Sequence, residues 1–303
     1  MRHNELTVLI TGAGGFLGNE LVRQLLDNEK TLVVAITSQK EKLQKRFSSS
    51  SNLIVMKNQD FFDKKSNIEF VDIVFNCAFP RSSKPEDLSK GITFTERIIE
   101  RCSELNLKKF INISSQSVYS QEEKLDVTEK SEVAPGNFYG LSKFACERIV
   151  ATGCELSKIH YTNIRLASLT GLNFDVRMPN RFVKAAINKE IIKINGGNQR
   201  ISYLDVRDAA TALIKIIDSN STLWNPIYNL GQNDSFSLLE LVKTIEKVAR
   251  KHAIFNLNLD INSNDDNFNN LMNSNLFYQD FEWKPKYSMP NMVEELFDYN
   301  IQN

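Results

Sequence analysis

In the stretch NFYGLSKFACE (137–147) a tyrosine and a lysine, Tyr139 and Lys143, stand four residues apart. At the start of a helix that spacing places both side chains on one face, one above the other. A phenol, with an ordinary pKa of about 10, is a poor base near neutrality, and an ammonium group one turn away favours its phenolate form. Such a pair suits a proton shuttle: the phenol exchanges a proton with an alcohol or carbonyl oxygen while hydride moves to or from a nicotinamide ring. An exposed helical pair with no chemistry would use the same spacing, so the other elements must decide.

Twenty-four residues upstream, KKFINISS (108–115) ends a β-branched run with Ser115, followed by Gln116 and Ser117. A hydroxyl at the carboxyl edge of a central parallel strand sits where such sheets bind ligands and could hold the substrate oxygen against Tyr139. Turn formation at a strand end would employ the same serines.

Near the N-terminus, TGAGGFLG follows the run LTVLIT (6–11) and opens a helix. Gly12, Gly15 and Gly18 allow a tight turn, close backbone approach to a pyrophosphate and close helix–strand packing, with Phe16 and Leu17 carrying the chain into the helix. The Gly-Lys-Ser/Thr ending of a triphosphate-binding loop is absent, which argues against a nucleoside-triphosphate hydrolase. The second strand ends in AITSQKEK, with Thr37 and Ser38 where an acid would bond the adenosine ribose, and Lys40 nearby. Losing that acid and gaining a cation favours NADP over NAD, unless the lysines merely face solvent. Asp60, beside Phe61, could accept from the adenine amino group or serve a turn. Cys77, Ala78 and Phe79 follow the fourth strand and are placed beneath the nicotinamide ribose. Arg81 could reach a sugar or phosphate, although Pro80 also fits a plain turn.

These groups sit on an alternation of apolar runs and helices: 6–11, a helix over Phe16–Asp27, 31–37, a basic helix near 40–47, 52–56, 71–78, a helix around 88–105, 108–115, a helix opening at Tyr139, and 161–168. Apolar strands separated by helices indicate an α/β fold, a Rossmann doubly wound parallel sheet. A dinucleotide-binding core over 1–170 and a smaller C-terminal substrate-binding region over 171–303, partly interleaved with it, are expected. In the second part helices are expected at 180–189, 206–217 and 237–251, with strands at IIKI, ISYL and PIYNLG. The Asn/Asp-rich tail contains NSNDDNFNN (262–270), expected to be an exposed loop.

Thirty-seven basic and thirty-seven acidic residues balance to zero net charge, which gives no field for nucleic acid or a membrane surface. Four cysteines lack metal-ligand spacing, so no metal site is expected; reduced thiols and the missing apolar leader point to a cytoplasmic protein.

Taken together, TGAGGFLG, SSQSVY and YGLSK resemble the cofactor loop, serine strand and catalytic helix of the extended short-chain dehydrogenases/reductases, the NAD(P)-dependent sugar epimerase/dehydratase group. The resemblance extends over NIRLASLTG (163–171), 181–210, YNLG (228–231) and FEWKPKYSM (281–289). It implies a Rossmann core, NAD(P), a nucleotide-linked sugar as substrate, and frequently a homodimer built from two helices of each subunit. Catalytic roles then fall on Ser115, Tyr139 and Lys143. The Asp-Glu pair of the family's dehydratases is replaced by Gln116 and Ser117, which disfavours dehydration. An arginine expected to meet substrate phosphate is displaced, with Arg200 one position away and Ile201 in its place; Arg177 or Arg181 could substitute. The function indicated is oxidation, reduction or epimerisation of a nucleotide sugar. The alternatives are reduction of a small non-sugar carbonyl and a non-catalytic dinucleotide sensor.

Overall fold

In a computed structural model of the chain, residues 6–64, 68–120, 127–262 and 271–302 are described. The chain forms two compact units: residues 1–120, 131–166 and 210–229 in one, and 121–130, 167–209 and 230–303 in the other. Segment 210–229 therefore belongs with the first unit although it lies past residue 170.

The first unit is built on β1 (Leu6–Thr11), α1 (Phe16–Leu25), β2 (Thr31–Ile36), α2 (Lys40–Arg46), β3 (Leu53–Met56), α3 (Asn58–Phe62), β4 (Ile73–Asn76), α4 (Pro85–Ser103), β5 (Lys109–Ser115), α5 (Phe138–Leu156) and β6 (His160–Leu166). Strands β3, β2, β1, β4, β5 and β6 pair in parallel, in that order. β11 (Ile227–Leu230) completes the seven-stranded sheet beyond β6. The order reverses between β1 and β4, the point at which open α/β sheets leave a crevice at their strand ends. β1 is buried along almost its whole length, as a strand covered on both faces must be. Leu9, Val34, Val74 and Phe110 from four adjacent strands share one core with Ile98, Ile99 and Val150 from the helices.

The second unit contains β7 (Leu169–Thr170), α6 (Met178–Ile187), β8 (Ile192–Asn195), β9 (Arg200–Ile201), β10 (Leu204–Asp205), the start of α7 (Val206–Ile217), β12 (Phe236–Ser237), α8 (Leu238–Lys251), β13 (Leu259–Asn262), α9 (Asn275–Asp280) and α10 (Met289–Gln302). Its strands form two-residue or four-residue pairs: β7 with β10, β9 with β12, and β8 with β13. An apolar cluster from α6, α8 and α10 holds it together, with Val183, Leu241, Ile245, Val293 and Phe297 almost inaccessible. Helix α8 begins with a capping box between Ser237 and Glu240, which satisfies two orphan donors at once.

Several expected elements differ in detail. The run ISYL is not one strand: Ile201 pairs with Phe236 while Leu204 pairs with Leu169. Helix α1 ends at Leu25 rather than Asp27, and a short helix, α3, carries Asp60 where a turn is expected. The Asn/Asp-rich tail contains β13, α9 and α10; of the expected loop at 262–270, residues 263–270 lie outside the described residues.

Candidate active site

The loop between β1 and α1 is shaped by backbone proximity. Gly12 has φ +64°, and a Cβ there would lie 2.9 Å from the Cα and backbone nitrogen of Ala78, so only glycine fits both the conformation and the space. A Cβ on Gly18 would overlap the carbonyl oxygen of Gly12, to which the N–H of Gly15 donates at 2.8 Å. Gly15 caps α1 without any side-chain hydrogen bond, leaving that helix end to polar groups from outside. A cleft of about 510 Å³ opens there, lined by Gly12, Gly15, Thr37, Ser38 and the segment Cys77–Phe79. These features fit an extended dinucleotide: a crook a Cβ would fill, an open helix N-terminus and a cleft leading from the end of β2 to the end of β4.

Helix α5 starts at Phe138, with the Asn137 side chain accepting the Gly140 N–H at 2.9 Å, a regular N-cap. Lys143 is buried, and its Nζ donates to the carbonyl of Ile113 in β5 at 2.6 Å. The same Nζ lies 4.3 Å from the centroid of the Phe79 ring, and Phe79 meets the Tyr139 ring edge to face at 5.8 Å. One aromatic side chain from the loop after β4 thus touches both members of the Tyr–Lys pair. Ser115 ends β5, and its Oγ accepts the N–H of Ser117 at 3.1 Å, which leaves its own hydrogen to donate. A Cβ on Gly140 would overlap the carbonyl oxygen of Ser117. Glycine at that position is what brings the start of α5 against the turn that follows Ser115.

Beneath these groups lies a buried ion pair that the sequence does not single out. Glu147, one turn beyond Lys143, accepts from Arg165 Nε at 3.0 Å and Nη2 at 2.8 Å, and from the Ser114 hydroxyl at 2.5 Å. Arg165 lies over the Tyr119 ring, whose hydroxyl donates to Asn229 at 2.6 Å. One carboxylate meets two N–H groups of the guanidinium in a bidentate geometry, and removing either partner would leave the other charge buried and unpaired. The pair ties α5, β5 and β6 together directly under the serine and the lysine.

The remaining expected residues distribute as follows. Phe16 and Leu17 open α1, with Leu17 turned into the core. Thr37 is buried, with its hydroxyl accepting the Gln39 N–H at 3.0 Å, while Ser38 is exposed. Lys40 begins α2 outside the cleft lining, and Asp60 is half-buried on α3, also outside it; Asn58 from the same short helix lines the cleft instead. The Phe61 side chain is fully buried in the core, so it packs rather than facing a ligand. Burial pushes the Cys77 thiol up to about 12 although the Lys143 charge acts the other way, which leaves a neutral thiol at the cleft. Arg81, Gln116 and Ser117 belong to the same unit as the Tyr–Lys pair, whereas Arg177, Arg181 and Arg200 belong to the second. Arg200 is held there by Ser235, through its hydroxyl at 2.9 Å and its carbonyl at 2.7 Å. Lining residues the sequence does not reveal include Lys90 and Gly91 of α4; the signal was the close seat of Gly91 against Phe79 and Pro80, which only a folded chain displays. Among the described residues there is no cluster of metal-ligating side chains and no helix long and apolar enough to cross a membrane.

A doubly wound sheet with a glycine crook at its reversal point, and a Tyr–Lys helix docked on a serine-ended strand, has the layout of an extended short-chain dehydrogenase/reductase. Comparison with known proteins agrees: the model of the NAD dependent epimerase/dehydratase family matches residues 8–231. The chain belongs to that family. Among relatives, it is 24% identical over 266 residues to the uncharacterized UDP-glucose epimerase YtcB of Bacillus subtilis, covering 82% of this chain and 84% of that one. It is 26% identical to the UDP-glucose 4-epimerase of Caenorhabditis elegans, with 80% and 83% covered. In fold it is similar to UDP-glucuronic acid 4-epimerase from Bacillus cereus, solved with UDP-glucuronic acid and NAD, at TM-score 0.84, 20% identity and coverage of 98% and 99%.

Proposed function

We propose that this protein is an NAD-dependent epimerase of a nucleotide-linked sugar, working by oxidation of a ring hydroxyl and re-reduction of the resulting ketone. The observation that carries the reading is Phe79, which joins the loop after β4 to both Tyr139 and Lys143. When bound, the nicotinamide would supply the hydride chemistry, taking hydride from the sugar carbon and delivering it to the opposite face of the ketone once the ketone has turned over in the site. Tyr139 would take the proton from the sugar hydroxyl as that carbon is oxidised and give it back on reduction. Lys143, held in place by Ile113, would stabilise the phenolate, and the Ser115 hydroxyl would hold the reacting oxygen. Gly12, Gly15, Gly18 and the start of α1 would receive the pyrophosphate, with Ala78 and Phe79 along the nicotinamide half.

NAD, the form held by the solved neighbour in fold, is the proposed cofactor; the NADP preference suggested by Thr37, Ser38 and Lys40 finds no support in the comparisons. Substrate contacts are assigned to Arg81, Ser115, Gln116 and Ser117, with the arginines at 177, 181 and 200 as candidates for the nucleotide diphosphate. With no carboxylic acid at 116 or 117 to protonate a leaving hydroxyl, dehydration is left aside. A homodimer built from two helices of each subunit, as the family resemblance implies, is assigned to α4 and α5; at the end of α5 Leu156 is 82% exposed. The four free cysteines suit a reducing compartment such as the cytoplasm.

The test is to incubate the purified protein with NAD and UDP-glucose, and separately with UDP-glucuronic acid, and to follow the appearance of the epimer. Conversion of either that disappears in Tyr139→Phe supports the reading. A wild-type protein that binds NAD but converts neither counts against these two substrates, and one that binds no dinucleotide counts against the whole assignment. The dimer is checked by light scattering, with Leu156→Glu expected to release monomer.

A further inference from the structure

Three core strands of the first unit each carry an asparagine at the same level: Asn76 in IVFN, Asn112 in KFINISS and Asn163 in HYTNIRL. Thr11, the last residue of β1, joins the row, because Thr11 pairs with Asn76, Asn76 with Asn112 and Asn112 with Asn163. All four side chains are buried at 2% exposure or less. Asparagine is disfavoured in strands and costly to bury unless bonded, so three in register, among Val, Ile and Phe, call for an account.

Their bonds run in one direction across the sheet. The N–H of Ala78 donates to Thr11 Oγ1 at 3.1 Å, and that hydroxyl donates to Asn76 Oδ1 at 2.8 Å. Asn76 Nδ2 donates to Asn112 at 3.1 Å, Asn112 to Asn163 at 2.8 Å, and Asn163 to the carbonyl of Pro226 at 3.4 Å. A branch leaves at Asn76, which also reaches the Thr95 hydroxyl at 3.5 Å; Thr95 in turn donates to the carbonyl of Gly91 at 3.0 Å. Bonds aligned donor to acceptor polarise one another in a dry interior, and such a row has one low-energy arrangement.

The two ends differ. At its far end the row only anchors the chain entering β11. At the near end it meets three of the segments that line the cleft: Thr11 directly precedes Gly12, Ala78 lies against Gly12, and a Cβ on Gly91 would come within 2.7 Å of the Phe79 ring and 2.6 Å of Pro80.

We propose that Thr11 and Asn76 are positioning residues for the dinucleotide. Their hydrogen bonds fix the height of the loop after β1 against the loop after β4, and Asn76 carries that setting through Thr95 to the helix that seats Phe79. Neither residue touches the ligand in this account; both act through Gly12, Ala78 and Phe79. The inference rests on the proposed dinucleotide site.

The test compares affinity for NAD and NADH with thermal stability in Thr11→Val, Thr11→Ser, Asn76→Leu and Asn163→Leu. Thr11→Val keeps the shape and removes the hydroxyl, and Asn76→Leu removes the hub; each is expected to weaken dinucleotide binding by about fivefold or more. Thr11→Ser, which restores the hydroxyl, is expected to restore affinity. Asn163→Leu, at the far end, is expected to lower the melting temperature while binding changes by less than about twofold. A folded Thr11→Val whose affinity falls by less than fivefold, or a Thr11→Ser as weak as Thr11→Val, overturns the proposal. If Asn76→Leu fails to fold, the two Thr11 variants decide. A wild-type protein that binds no dinucleotide would instead remove the site itself, and is distinguished by the wild-type titration alone.

Discussion

The two units are stabilised differently. In the first, long parallel strands are crossed by buried polar bonds: the asparagine row, the Glu147–Arg165 pair and the Lys143 contact with β5. In the second, two-residue and four-residue strand pairs accompany an apolar three-helix cluster, and its polar bonds include Thr170 with Asn180, Ser202 with the Gln232 carbonyl, and a group around Asp205, Arg207 and Asp208. Arg207 bridges Asp205 and Glu295 and lies 3.6 Å from the Tyr287 ring centroid. Directional bonds specify atom positions, whereas apolar packing specifies mainly volume and tolerates adjustment. The first unit thus carries connected directional bonds across its sheet, and the second draws its main cluster from the apolar faces of three helices.

The comparison is sharpest where directional bonds are cut. Lys143→Met keeps the stem and removes the charge, and turnover is expected to fall about a thousandfold, with circular dichroism unchanged; a tenfold loss or less would mean the ammonium is structural. Arg165→Met leaves Glu147 buried and unpaired, at an expected cost of about 3 kcal/mol or more in denaturant unfolding. Pairing it with Glu147→Leu should recover most of that, and a double variant as unstable as the single one would show the pair to be a packing element. Gly140→Ala forces α5 away from the Ser117 carbonyl and should lower turnover about a hundredfold by displacing Tyr139 from Ser115. An active Gly140→Ala would show that this approach is not needed.

In the second unit the expected effects are smaller. Ser237→Ala removes half of a capping box, and about 1 kcal/mol of stability should go with it, leaving turnover in place. Burial raises Asp208 above the usual carboxylate range even though it accepts the N–H groups of Lys286 and Tyr287. A carboxyl whose folded pKa lies above its unfolded value costs nothing below the unfolded value, and the cost of ionising it grows as pH climbs through the window between the two. The melting temperature of the wild type relative to Asp208→Asn should therefore fall as pH rises from about 4 towards neutrality. A rise would mean that the two accepted bonds outweigh desolvation.

The same contrast explains what the sequence disclosed. The strand–glycine–helix opening and the alternation up to β6 were legible because buried parallel strands are mostly apolar and the glycines after β1 answer specific close approaches. Tyr139, Lys143 and Ser115 were legible through helical spacing and strand-end position. Asn76, Asn112 and Asn163 were not, because each is isolated in its own strand and only the parallel register aligns them. Glu147 and Arg165 are eighteen residues apart, and neither shows a partner in the chain order. In the second unit the strand-like run ISYL divides between two partners, and the polar tail hid α9 and α10 because abundant Asn and Asp mask a helical period. Phe61, expected near the cofactor, is core, since an aromatic beside a ligand and one beneath a sheet look alike in sequence.

The central claim is that Tyr139 moves the proton that accompanies hydride transfer. The most direct measurement is the reduced-nicotinamide absorbance that develops when a nucleotide sugar is added to NAD-loaded protein, for wild type and Tyr139→Phe at matched dinucleotide occupancy. The account predicts a signal and sugar conversion in the wild type and neither in the variant, with NAD bound equally by both. Equal rates in the two proteins would contradict it.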